Sequence, residues 1–230
     1  MTSNKVRLYS NLVLKRKGCQ LCNGMLTNPV NTGFDTNEIG PYSVWQHNLN
    51  ADLLIVGRDW GDVGKFNALL GKNAPGIGAY KFPMDKCLQE YLDMIHISIG
   101  HPLEPRQPAV FLTNAVLCLK KSTSDSVKES WLKNCGSNFL KPLIEAVKPQ
   151  KLIITLGKDA YEIVMRLYDQ VPGNFTKAVD KAVARKRPFD LGDGLKLFPV
   201  FIPGGQGFIS RPSAVQEQDW RSIGEYLGTL

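Results

Sequence analysis

Four short apolar runs stand out along the chain: Leu53–Gly57 (LLIVG), Val110–Asn114 (VFLTN), Leu152–Gly157 (LIITLG) and Phe198–Ile202 (FPVFI). Each is rich in aliphatic or aromatic side chains with little polar alternation, the pattern of strands covered on both faces of a parallel sheet. Elsewhere the apolar period lengthens to three and four residues. Met84, Cys87, Leu88, Tyr91, Leu92 and Ile95 make one helix face, with Cys87 in the core. Trp131, Cys135, Phe139, Leu143 and Val147 make a second face, and Ala160, Ile163, Val164 and Leu167 a third. A last helix is expected over Gln216–Leu227. The stretch Asn23–Asn50 shows neither period and reads as irregular, anchored by Trp45. Strands alternating with helices predict one domain over 1–230: a three-layer α/β/α sandwich around a central four-stranded, mainly parallel sheet.

In such sheets ligands bind beyond the carboxyl ends of the strands. Three of those ends run into glycine-rich or polar segments: Gly57-Arg58-Asp59-Trp60-Gly61, Thr113-Asn114, and Pro203-Gly204-Gly205-Gln206-Gly207. The site is expected there.

At 43% hydrophobic, the 230 residues are enough for a real core. Nothing approaches 18 consecutive apolar residues, so no membrane helix is expected. Met1 to Lys17 lacks the apolar block and cleavage site of a signal peptide, which points to a cytoplasmic protein. The net charge of +7 favours an acidic partner, nucleic acid first among them. The cations cluster at Lys15-Arg16-Lys17, Lys120-Lys121 and Arg185-Lys186-Arg187, and each cluster reads equally well as a solvated face. With no G-x-G-x-x-G or P-loop, an enzyme acting on a free nucleotide is the weaker alternative.

The 5 cysteines, an odd number in a reducing compartment, argue against a disulfide framework. Cys19 and Cys22 form a C-x-x-C, Cys118 follows the second strand, and Cys135 lies on the next helix. Four thiolates together hold a four-iron cluster or a tetrahedral zinc. The wide second pair tilts the choice towards the cluster, with plain burial of Cys118 and Cys135 the competing reading.

The order of these pieces resembles the iron–sulfur branch of the uracil-DNA glycosylases, whose pattern reads "C-x-x-C … VGEAPG … tNxxxC … C … P-x-x-iitLG". Here the stretches are Cys19-Gln20-Leu21-Cys22, Val56-Gly57-Arg58-Asp59-Trp60-Gly61, Thr113-Asn114-Ala115-Val116-Leu117-Cys118, Cys135 and Pro149 to Gly157. The resemblance runs from about Cys19 to Ser213. It implies a 4Fe-4S cluster on Cys19, Cys22, Cys118 and Cys135, with zinc as the alternative.

It also implies a protein that removes uracil or another deaminated base from DNA, and a monomer is expected. Arg58 replaces that branch's Glu. Asp59 instead resembles the Asp of the "GQDPY" motif, which positions water or steadies the sugar cation. As a bare residue, Asp59 reads as a turn or a helix cap. Asn114 resembles the family's base-reading Asn, an amide that offers donor and acceptor together. Gly57, Trp60 and Phe66 fall beside these motifs, and Tyr80 and Phe82 are further candidates to stack on the base.

Arg211-Pro212-Ser213 stands where many members have "H-P-S", so a fixed cation replaces the histidine that steadies the leaving base. Gly204, Gly205, Ser210 and Ser213 are the expected phosphate contacts. The departures at Arg58 and Arg211 leave a second reading, a member that binds damaged nucleic acid without cutting it.

Overall fold

The computed structural model describes residues 4–41, 44–46, 48–70, 83–97, 109–122, 124–149 and 151–229. In chain order its elements are α1 (Asn4–Lys17), β1 (Leu26–Thr27), β2 (Leu53–Asp59), α2 (Val63–Leu70), α3 (Pro83–Met94), β3 (Val110–Val116), β4 (Leu119–Lys120), α4 (Glu129–Cys135), α5 (Lys141–Val147), β5 (Leu152–Leu156), α6 (Lys158–Leu167), α7 (Phe175–Arg185), β6 (Phe189–Gly192), β7 (Leu195–Val200), α8 (Gln206–Ser210) and α9 (Ser213–Leu227).

The main sheet has the order β3-β2-β5-β7-β6. Its first four strands are parallel, and β6 runs antiparallel at the edge. The four apolar runs supply the parallel strands, with ends shifted by a few residues. Because the side-chain period is two, each strand feeds both faces. Leu54 and Val56 pack with residues of α1, α4, α5 and α6, while Leu53 and Ile55 pack with α3 and α9. That gives the three layers expected.

The expected four strands become five, because the alternating, mostly exposed β6 never forms an apolar run. Its turn signal was in the sequence: Gly192, Asp193 and Gly194 all take positive φ, as a tight hairpin requires.

Other expectations need correction. Trp131 to Val147 is α4 and α5 joined by a π-helical turn, Gly136–Leu140. Pro142 has no N–H to give to the Asn138 carbonyl four residues back, so the ladder must open nearby. Lys15 Nζ reaches that carbonyl at 3.4 Å. Cys87, expected in the core, is only half-buried. The stretch Asn23–Asn50 is mostly irregular, with Trp45 1% exposed, but it contains β1, paired antiparallel to β4. The helices α1 and α7 are not among those expected: α1 buries only Tyr9, Val13 and Arg16, and α7 buries Phe175, Ala178, Val179 and Ala182, half of them alanine.

No helix among the described residues is long and apolar enough to cross a membrane.

Candidate functional site

The parallel register sets Gly57 of β2 opposite Asn114 of β3, and Asp59 opposite Val116. A Cβ on Gly57 would fall 2.1 Å from Asn114 Oδ1, so the amide lies directly against the glycine backbone. Only a residue without a side chain permits that approach. Asn114 is 4% exposed, and among the described residues its side chain makes no hydrogen bond. A buried amide without protein partners keeps its donor and acceptor for a ligand.

Asp59 sits at the mouth of the same strand pair. Its Oδ1 accepts from the Gly61 N–H at 2.8 Å and stands 3.3 Å from Lys120 Nζ, and its Oδ2 accepts from Arg58 Nε at 2.7 Å. It is therefore the turn residue that the bare sequence suggested, while the side chain of Asp62 accepts from the Lys65 N–H at the start of α2. Burial pushes the Asp59 carboxyl up, but the Arg58 hydrogen bond, the two cations and the Gly61 N–H together hold it below its ordinary range. It is a carboxylate at neutral pH. Arg58 also reaches Asp159 on α6 at 4.0 Å.

Lys120 is the residue that sequence reasoning missed. Grouped with Lys121 as a surface cluster, it is instead 6% exposed. β4 carries it, and pairing with Leu26 of β1 holds that strand in place. Arg16 departs from its cluster in the same way: it is 1% exposed, with its guanidinium on Asp35 at 2.6 Å and on the carbonyls of Thr36 and Glu38.

Of the four rings that are candidates to stack on the base, two lie among the described residues, and both are packed in the fold. Phe66 is 3% exposed and packs on Phe34 with centroids 5.1 Å apart. Trp60 is half-buried, with its indole edge against Gly40. Tyr80 and Phe82 lie outside the described residues.

Arg211 holds the fold together rather than reaching out. Its Nε and Nη2 bond both oxygens of Asp219 on α9, at 2.5 and 2.7 Å, and its Nη1 bonds Asp180 on α7 at 2.9 Å. Asp219 is 1% exposed. Arg211→Ala strands that carboxylate in a buried setting, so a loss of about 3 kcal/mol is expected. Thermal melting checks this, and an unchanged midpoint would show that the pair carries no stability. Gly204 and Gly205, both with positive φ, lead into α8. Ser210 and Ser213 are exposed, their hydroxyls turned to the Gln206 carbonyl and to Glu217.

The β1–β4 ribbon also explains how the cysteines meet. It ties Leu26, just after the C-x-x-C, to the segment just after Cys118. Asn28 Nδ2 donates to the carbonyls of Arg16, Lys17 and Cys19 and fixes the loop. Cys19, Cys22, Cys118 and Cys135 all line one cavity of ≈ 190 Å³, and Asn134 Nδ2 approaches Cys22 Sγ at 3.7 Å. Burial, helped by the neighbouring thiols, pushes Cys118 and Cys135 up to about 12. Among the described residues, no group of three or more His, Cys, Asp or Glu is set to hold a single metal ion.

No curated protein matches the chain. The sequence profile of the Uracil DNA glycosylase superfamily matches residues 45–211, a span that takes in β2, β3, β5, β7 and the Arg211 loop. With that match over most of its length, and with the strand-end site just described, the chain belongs to the uracil DNA glycosylase superfamily.

Proposed function

We propose that the chain removes uracil or another deaminated base from DNA by cleaving its N-glycosidic bond. Superfamily membership supports a glycosylase-like activity on DNA. The observation that carries the finer reading is Asn114: a buried amide without a hydrogen-bond partner among the described residues, seated on Gly57 and two residues in register from an ionised Asp59.

A nucleotide turned out of the stack presents its Watson–Crick edge to Asn114. Asp59 faces the sugar, where positive charge develops as the bond lengthens, and it orients the attacking water. Arg58 and Lys120 keep Asp59 ionised. The Gly204-Gly205 backbone and the hydroxyls of Ser210 and Ser213 take the flanking phosphates.

The four cysteines fit an iron–sulfur cluster better than a zinc ion. A zinc draws its sulfurs to within ~2.3 Å of one point, whereas here the four cysteines line a cavity many times the ~10–15 Å³ that one water needs. Cys19, Cys22, Cys118 and Cys135 would hold the cluster, which would serve as a cross-link and take no redox step.

One observation favours a second reading, binding without excision. Two cations already offset the charge of Asp59, which weakens its pull on a sugar cation.

The test uses oligonucleotides carrying uracil or hypoxanthine, single- and double-stranded, with abasic sites scored by alkaline cleavage. Wild type should cut one of them, and Asn114→Ala and Gly57→Ala should fail. Salt-sensitive binding with no cutting on any substrate would replace excision with the second reading.

A further inference from the structure

Two of the three basic clusters in the sequence are partly buried in the fold, through Arg16 and Lys120. The third is not. Lys177, Lys181 and Arg185 recur every four residues on α7, and Arg187 follows at its exit. All four are exposed.

The acids nearby are committed to other cations. Asp180 pairs with Arg211, Asp190 with Lys196, and Glu225 with Lys186. Among the described residues, Lys177, Lys181, Arg185 and Arg187 form no ion pair, so this face carries four uncompensated charges. The end of this face is also concave: Lys181, Arg185, Arg187, Pro188, Phe189 and Asp190, the last held by Lys196, line an open cleft against the β6 edge, with Lys181 Nζ 5.6 Å from the centre of the half-exposed Phe189 ring. An uncompensated cationic stripe beside an aromatic face suits a polyanion that also carries flat rings.

We infer that the α7–β6 edge is a second nucleic-acid site, which grips the sugar–phosphate backbone of a DNA strand at a distance from the excised base. The inference rests on the DNA reading proposed above. Successive cations on α7 stand ~6 Å apart, so the three span roughly three to four nucleotides of a stacked strand. In the sheet order, β6 is four strand spacings from β3, which carries Asn114, a lateral separation of about 19 Å. A strand seated at both places has to be longer than the one that fills the pocket, and this makes the site testable by length.

The experiment measures binding of labelled, undamaged single strands, one short and one long, across a salt series. It compares wild type with Lys177→Gln/Lys181→Gln/Arg185→Gln/Arg187→Gln. Each lost phosphate contact lowers the salt slope by ~0.7, so the variant should lose about 3 from its slope on the long strand. On the short strand, chosen too short to span the three α7 cations, the loss should be smaller. Equal melting midpoints confirm that the fold is kept. An unchanged slope on the long strand, or a loss seen only with RNA of the same sequence, overturns the inference. Base excision is scored separately: a protein that never cuts but loses this slope keeps the second site and loses the proposed activity, while one that cuts with an unchanged slope does the reverse.

Discussion

Asp59→Asn should reduce single-turnover base excision by about 10²–10³-fold, the effect of removing one preorganised charge from a transition state. The substitution keeps the shape and the acceptor for the Gly61 N–H, so the loss falls on charge. DNA binding should persist, because phosphate contacts supply most of it. Stability should also fall. Lys120, with a side chain 7% exposed, would face an amide where it had a carboxylate, and a buried cation left without its partner costs about 3 kcal/mol. A double variant, Asp59→Asn with Lys120→Met, should recover stability without recovering excision, which separates the two effects. An excision rate equal to wild type in Asp59→Asn would remove Asp59 from the mechanism.

The sign of the pH dependence follows from the same contacts. The carboxyl is held below its ordinary value. It therefore contributes stability that is present above the unfolded value of about 3.9 and is lost as pH falls through the lower folded one. In Lys120→Met one of the forces lowering it is gone, and the acid limb of the excision profile should move up in pH.

Cys118→Ala is expected to have the second large effect, and it acts at a distance. If the four thiols share a cluster, anaerobically purified protein should contain iron and acid-labile sulfide in equal amounts, about four of each per chain, and Cys118→Ala should lack both. The N-terminal segment then loses its cross-link to the β3–β4 and α4 segments. Cys118 is two residues from Lys120, and β1 holds β4 in register. Freeing that ribbon should loosen Lys120 from Asp59. A fall in melting temperature of about 10 °C is expected, at ~2–4 °C per kcal/mol for a chain of this size. Proteolysis should begin within residues 18–31. Protein with no iron, whose stability does not change in Cys118→Ala, would return the four cysteines to simple burial.

Particular elements separate what was legible in the chain from what was not. Leu53 to Gly57 and Leu152 to Leu156 read as buried parallel strands because hydrophobic runs covered on both faces have few other uses. β6 was missed because half of it faces water. The turn of Asp59 and the glycine at position 57 were both visible as motifs. That an added Cβ at Gly57 would strike Asn114 was not, since this depends on register between strands more than fifty residues apart in sequence.

The basic residues show the same division most clearly. Sequence composition fixed how many cations the chain carries, and local spacing grouped them. Spacing cannot tell a solvated lysine from one drawn into an ion pair, because the partner is distant in the chain. Arg16 needs Asp35, and Lys120 needs Asp59. Only the folded chain decided that these two clusters serve partly as internal struts, and that Lys177, Lys181 and Arg185 of α7 are exposed with no ion pair among the described residues.

The layered α/β architecture and a polar site at the strand ends are legible in the chain, because apolar periodicity and glycine-rich turns act locally. Folding set the charge balance of that site, gathered four cysteines around one cavity, and turned Arg211 to Asp219 and Asp180. Each of these depends on contacts between elements, set by register and packing across the sheet: Lys120 comes to Asp59 from β4, and Asp180 comes to Arg211 from α7, 31 residues away in the chain.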